Sequence, residues 1–169
     1  MLVRADSQKL VLMDNNILSS DYGIRQLAEL TDTDYMIDIN QGMDIICISE
    51  DVVKVLSRIK WIKYIRFSCD DGYKLPCFEK MAELFQKHGI ALSRVFIYVL
   101  VRKDLEAADY RVQQLHKICK NFNLYAQAER NKGIEPTKAQ LEFAQRYVYR
   151  GSYKKETWSK YCKRLGLEF

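Results

Sequence analysis

Proline is nearly missing from this chain: there are two in 169 residues, alongside seven glycines. Extended linkers and low-complexity tracts need far more of both, so one continuous fold is expected. No stretch approaches the ~20 apolar residues of a membrane-spanning helix. The first ten residues contain no apolar run of the secretory kind. Histidine is limited to His88 and His116, isolated from each other on amphipathic segments that place them at the surface. There is no H-E-x-x-H pair, no phosphate loop, no nucleophile elbow and no G-x-G-x-x-G. Five cysteines are present (Cys47, Cys69, Cys77, Cys119 and Cys162), but none is spaced C-x-x-C or C-x-x-x-C. A short loop that aims two thiolates at one ion is therefore lacking, and no metal site is expected. The odd number also argues against a disulfide framework. It fits a reducing, cytoplasmic compartment in which most cysteines act as small buried hydrophobes.

What the sequence does contain is a regular alternation. Five short runs read as strands: Leu10–Met13, Tyr35–Ile39, Tyr64–Phe67, Val95–Val101 and Leu124–Ala128. The first, third and fourth are nearly continuous apolar or aromatic runs, which predicts burial on both faces. Between the strands, apolar residues recur at helical spacing, as in Val52, Val53, Leu56 and Ile59. Ser20 or Asp21 is placed to cap one helix, Ser49 the next, and His88-Gly89 to end the third. Strand–helix units of this kind imply an α/β fold with parallel strands. An open doubly wound sheet and a curled part-barrel both fit; a complete eight-unit barrel needs ~250 residues. Residues 136–169 differ in character. A helix starts near Pro136, Gly151 interrupts it, and Lys155–Leu165 reads as a last short helix.

In parallel α/β folds, loops and helix N-termini converge beyond the carboxyl ends of the strands, and ligands bind there. All five ends here are polar: Asp14-Asn15-Asn16, Asp38 to Asp44, Ser68 to Gly72, Arg102-Lys103-Asp104, and Gln127 through Glu129-Arg130-Asn131. Taken singly, each is an ordinary turn or cap cluster. Gln41, Gln127, Glu129 and Arg130, however, have little value as turn formers. Alternation puts Tyr125, Gln127 and Glu129 on one face of the fifth strand, where polar groups need partners.

Four of these segments, Val11 to Asn16, Ile37 to Asp44, Ile65 to Asp70 and Leu124 to Asn131, together resemble the radical S-adenosylmethionine superfamily. Asn40-Gln41-Gly42-Met43-Asp44 is the most specific of them. The resemblance spans roughly residues 8 to 131. It implies a partial (β/α) barrel of about five strands in residues 1–135, followed by a helical extension in 136–169. It also implies S-adenosylmethionine as ligand. Asp14, Asn15 and Asn16 stand where the family contacts the cofactor's amino group, and Ser68 and Asp70 where it meets the ribose hydroxyls. Asn40 and Gln41 lie between them, and Gln127, Glu129 and Arg130 stand near cofactor or substrate. The family's first strand and its three-cysteine loop have no counterpart. The sequence thus reads as a truncated or incomplete core that holds no [4Fe-4S] cluster and binds S-adenosylmethionine weakly or not at all by itself. Residues 10–13 would then form an edge strand that invites self-association or a partner chain.

A second reading is a non-catalytic binding domain that uses this edge or the C-terminal tail. From Gln145 to Arg164 the chain carries seven basic residues against one acid, 7 − 1 = +6, interleaved with Tyr147, Tyr149, Tyr153, Trp158 and Tyr161. Charge for phosphates and rings for bases make Arg146, Arg150, Lys154, Lys155, Trp158 and Lys160 candidate nucleic-acid contacts. The plainer alternative is that the rings pack the tail onto the core while the lysines stay solvated.

Overall fold

Alternation of side-chain character, rather than continuous apolarity, decides how the strands sit. The computed structural model describes residues 8–13, 16–130 and 135–168. Its strands are β1 (Lys9–Leu12), β2 (Met36–Ile39), a two-residue β3 (Met43–Asp44), β4 (Ile65–Cys69), β5 (Val95–Val101) and β6 (Asn123–Ala128). The five expected segments are all present to within a residue or two. Only β3, too short to carry a periodic signal, has no counterpart in the sequence reading. The helices are α1 (Asp21–Leu30), α2 (Glu50–Arg58), α3 (Leu75–Lys87), α4 (Leu105–Ile118), α5 (Lys138–Glu142) and α6 (Trp158–Leu165), with a π-helical turn at Phe143–Val148. Ser20 accepts from the backbone N–H of Gly23 at 3.1 Å and Ser49 from that of Val52 at 3.3 Å, so both expected caps are made. No helix among the described residues is long and apolar enough to cross a membrane.

All strand pairs are parallel, in the orders β1-β2 and β3-β4-β5-β6. A bridge between Ile37 and Trp61 ties the first ladder to the segment entering β4. Neither ladder contains the order reversal of a doubly wound sheet. Burial alternates along β1, β2, β4 and β5. Leu10, Ile37, Ile39, Ile65, Phe67, Val95, Ile97 and Val99 face the helices and are buried with Leu27, Val53, Leu56, Phe78, Phe85 and Val112. Phe67 meets Phe78 and Phe85 at 6.4 and 6.1 Å between ring centroids. The expected burial of three strands on both faces is therefore corrected. Val11, Arg66, Ser68, Phe96, Tyr98 and Leu100 occupy a second face that is only half-buried or exposed. Their continuous apolar look came from aromatic and aliphatic residues on this uncovered face.

The C-terminal segment packs on β6 and α4. Gln140 is buried and donates to the carbonyl of Val101 at 3.0 Å. Phe143, Tyr147, Trp158 and Tyr161 are buried together, and Trp158 stacks on Tyr161 at 5.5 Å.

Candidate functional site

Parallel register aligns the strands across the uncovered face. Asp44 lies opposite Ser68, Ser68 opposite Tyr98, and Tyr98 opposite Tyr125. Above this row, at the carboxyl ends, Asn40, Gln41, Gly42, Ser68, Asp70, Tyr98 and Gln127 line one pocket of about 380 Å³. Gly42 makes the turn from β2 into β3 with φ of +83°, a conformation side chains rarely adopt. A Cβ there would also lie 3.2 Å from the Tyr98 ring. Tyr98 in turn donates its hydroxyl to the carbonyl of Asn40 at 3.3 Å.

Charge at the pocket is organised around Lys74, which is buried just before α3. Its Nζ reaches Asp44 at 3.1 Å and Asp70 at 3.4 Å. Burial works against the ammonium charge, but hydrogen bonds and Coulomb attraction from these two carboxylates outweigh it, and the pKa rises above the usual lysine value. Ser68 also donates to Asp70, at 3.3 Å. Asp70 is thus fixed on one oxygen, and its half-exposed carboxyl group borders the pocket. Arg102 spans the next rim, 2.9 Å from Asp71 and 3.7 Å from Glu129. Lower on the sheet, Asp38 and Arg66 form an ion pair.

Of the residues expected at the site, Asn40, Gln41, Ser68, Asp70 and Gln127 come together in this pocket. Asn16 plays a different part. Its side-chain oxygen accepts from the backbone N–H of Asp44 at 3.2 Å, which ties the loop after β1 to β3. Asp14 and Asn15 lie outside the described residues. Glu129 does not join Gln127, because β6 ends at Ala128 and its carboxylate turns to Arg102. Arg130 lines a second, larger pocket that adjoins the first at Gln127. Sequence reasoning missed Lys74 and Tyr98, and quoted Gly42 only as part of a motif. The i,i+4 spacing of Asp70 and Lys74 was the available signal for the first; Tyr98 was hidden inside an apolar run.

The tail candidates separate. Trp158 is 5% exposed among aromatic neighbours and offers no free face to a base. Arg146 is 3.4 Å from Glu142. Lys154 lies over the ring of Tyr153, which packs on His116 of α4, so this lysine sits toward the helical layer. Arg150, Lys155 and Lys160 are exposed. The histidines are less exposed than expected: His88 contacts Glu50 at 3.2 Å, and His116 is half-buried.

Among the described residues no three His, Cys, Asp or Glu side chains gather as a metal site. Cys69 is buried in β4, and burial pushes its thiol up to about 12 against the opposing charge of Arg111. It is a core residue, not a ready thiolate. Comparison with protein-family models, curated proteins and solved structures gave no match.

Proposed function

We propose that the chain is a partial (β/α) barrel of the radical S-adenosylmethionine type, whose carboxyl-end pocket is an adenosyl-ligand site. The observation that carries this reading is the convergence of Asn40, Gln41, Ser68, Asp70 and Gln127, from three separate strand ends, on one pocket. The donor set fits S-adenosylmethionine. Asp70 and the amides can accept from an ammonium group or ribose hydroxyls, Ser68 and the amides can also donate, and Tyr98 offers a ring edge to the adenine. Consecutive strand order, with the helix-facing side chains forming the core, supports a singly wound sheet of the barrel kind.

An iron–sulfur cluster does not fit the described residues. The five cysteines are dispersed, and Cys69 is buried on the helix-facing side. The proposed activity of this chain is ligand binding. Without a metal to chelate its amino and carboxylate groups, S-adenosylmethionine should bind with a Kd of about 0.1–1 mM, some −4 to −5.5 kcal/mol. Titration followed by NMR should shift the side-chain amides of Asn40, Gln41 and Gln127. Asp70→Asn and Ser68→Ala should each weaken binding several-fold. Absence of any shift near these amides at ligand concentrations of about 5 mM, well above that Kd, would sink the reading.

A further inference from the structure

A row of aromatic rings crosses the uncovered sheet face. Tyr64 meets Phe96 at 5.2 Å, Phe96 meets Tyr125 at 6.0 Å, and Tyr125 meets Tyr149 at 6.5 Å, with Tyr98 beside Tyr125 at 6.0 Å. Buried rings need no further explanation, but Tyr125 is 39% exposed and Tyr149 73% exposed. The two stand at 89° to one another and form a corner. Together with Gln127, Arg130 and Gln145 they line a pocket of about 770 Å³, floored by Leu141 and Ala144. The π-helical turn brings Gln145 and Tyr149 into this pocket. Its wider winding is marked by the Tyr149 N–H bonding to the carbonyl of Ala144 at 3.1 Å; such turns recur at functional sites.

Cations accompany the row. Lys63 sits 4.6 Å over Tyr64, and Arg66 lies 5.7 Å from the centroid of Phe96. Arg130 is exposed at the far pocket. The acids along this face are held by shared cations: Asp38 by Arg66, Asp44 and Asp70 by Lys74, and Asp71 and Glu129 by Arg102. The cations left to meet a polyanion are Lys63 at one end of the row and Arg130 at the other, so ring stacking must carry most of the affinity.

We propose that this face binds single-stranded nucleic acid, with the β6–π-turn pocket taking one unstacked nucleotide. The exposed rings, Tyr125 on β6 and Tyr149 after the π-helical turn, can stack bases without regard to sequence. Two primary amides supply the paired donor and acceptor groups that read a base edge, and a guanidinium suits a phosphate. A duplex, whose bases are already stacked, cannot use the row. The inference does not rest on the S-adenosylmethionine reading, and it moves the nucleic-acid surface from the basic tail to the sheet.

The test is fluorescence anisotropy with labelled oligouridine and oligothymidine of about ten nucleotides, a typical site length. The unmodified chain should bind with a Kd below about 100 µM and weaken several-fold between about 50 and 200 mM salt, as about two phosphate contacts require. Tyr149→Ala and Tyr125→Ala should each weaken binding about tenfold, and Tyr125→Phe should retain it. Arg130→Gln should reduce the salt dependence. A triple substitution of Lys154, Lys155 and Lys160 by Gln should change affinity little. Tyr149 is so exposed that its variant will fold, which keeps the test decisive even if Tyr125→Ala does not. The proposal is overturned if no oligonucleotide binds, if the tyrosine variants bind unchanged, or if the lysine triple variant alone loses binding. It is likewise overturned if uridine monophosphate competes as well as the oligomer, which would make the pocket a free-nucleotide site.

Discussion

Asp109 offers a sharp test of how the C-terminal segment is held. It is a buried residue of α4. One carboxyl oxygen accepts from the Tyr147 hydroxyl at 2.5 Å and the other from the backbone N–H of Trp158 at 3.0 Å. Gln113 reinforces the node by donating to the Tyr147 hydroxyl at 2.9 Å and to the carbonyl of Tyr153 at 3.0 Å. Burial first, and then the bond to Asp109, hold the Tyr147 hydroxyl far above the usual tyrosine range. Asp109→Ala takes an acceptor from two donors inside the protein, each worth about 1–3 kcal/mol. Tyr147 retains the carbonyl of Glu156 at 2.8 Å, so its loss falls at the low end. The sum is about 2–5 kcal/mol, against a total stability of about 5–15 kcal/mol for a domain. For a chain of this size it corresponds to a fall in Tm of roughly 4–20 °C. Urea denaturation would measure the loss, and hydrogen exchange would locate it: amides of α5, the π-helical turn and α6 should open first. A double-mutant cycle with Tyr147→Phe should give a coupling of about 0.5–3 kcal/mol. A loss below about 1 kcal/mol, with exchange unchanged in the tail, would refute the claim that this node fastens the segment.

Three further outcomes are expected. Gly42→Ala should cost about 1–2 kcal/mol in left-handed strain alone, and the 3.2 Å approach to Tyr98 should displace that ring, so thermal melting and ligand titration should change together. Lys74→Met should destabilise the fold by about 1–3 kcal/mol, because Asp44 and Asp70 lose their shared cation while keeping partial access to water; a charge-conserving Lys74→Arg should recover only part, measured by urea denaturation. His116 has its pKa lowered by burial and then by the nearby Lys154 and Lys120. The unfolded chain therefore binds this proton more readily than the folded one. The penalty is absent above the unfolded value near 6.5 and grows as pH falls from there toward the folded pKa. His116→Gln should flatten that part of the stability–pH curve, and an unchanged slope between about pH 7 and 5 would contradict the assignment.

The strands and helices were legible because their signals are local. Ser20 and Ser49 cap where capping chemistry puts them. Val95–Val101 is a strand with the expected bounds, because seven apolar residues with β-branching can do little else. What one sequence could not convey is which face of a strand goes uncovered. Phe96, Tyr98 and Leu100 look like core in a linear reading, since a ring has the same hydrophobicity whether it packs on a helix or lines an open face. The tail left two readings open. Trp158, Tyr147 and Tyr161 lie between lysines and arginines, a pattern that suits a nucleic-acid arm or rings packed on the core under solvated charges, and these three rings turn inward. Helical spacing allows both. The choice is made by partners more than thirty residues away in sequence, Asp109 for Tyr147 and Trp158 and Gln113 for Tyr147. The site divides along the same line. Asn40, Gln41, Ser68, Asp70 and Gln127 were legible as neighbours because strand ends converge by topology, which alternation alone implies. Lys74 and Tyr98 were not: the local spacing of Lys74 from Asp70 went unread, and the contacts of Lys74 with Asp44 of β3 and of Tyr98 with the carbonyl of Asn40 join residues far apart in sequence. Local patterns therefore locate the mouth of the pocket, and cross-strand register supplies its walls. A linear reading accordingly took the strand aromatics for core and left the tail aromatics open between core and surface, and in both places contacts distant in sequence decide where the rings lie.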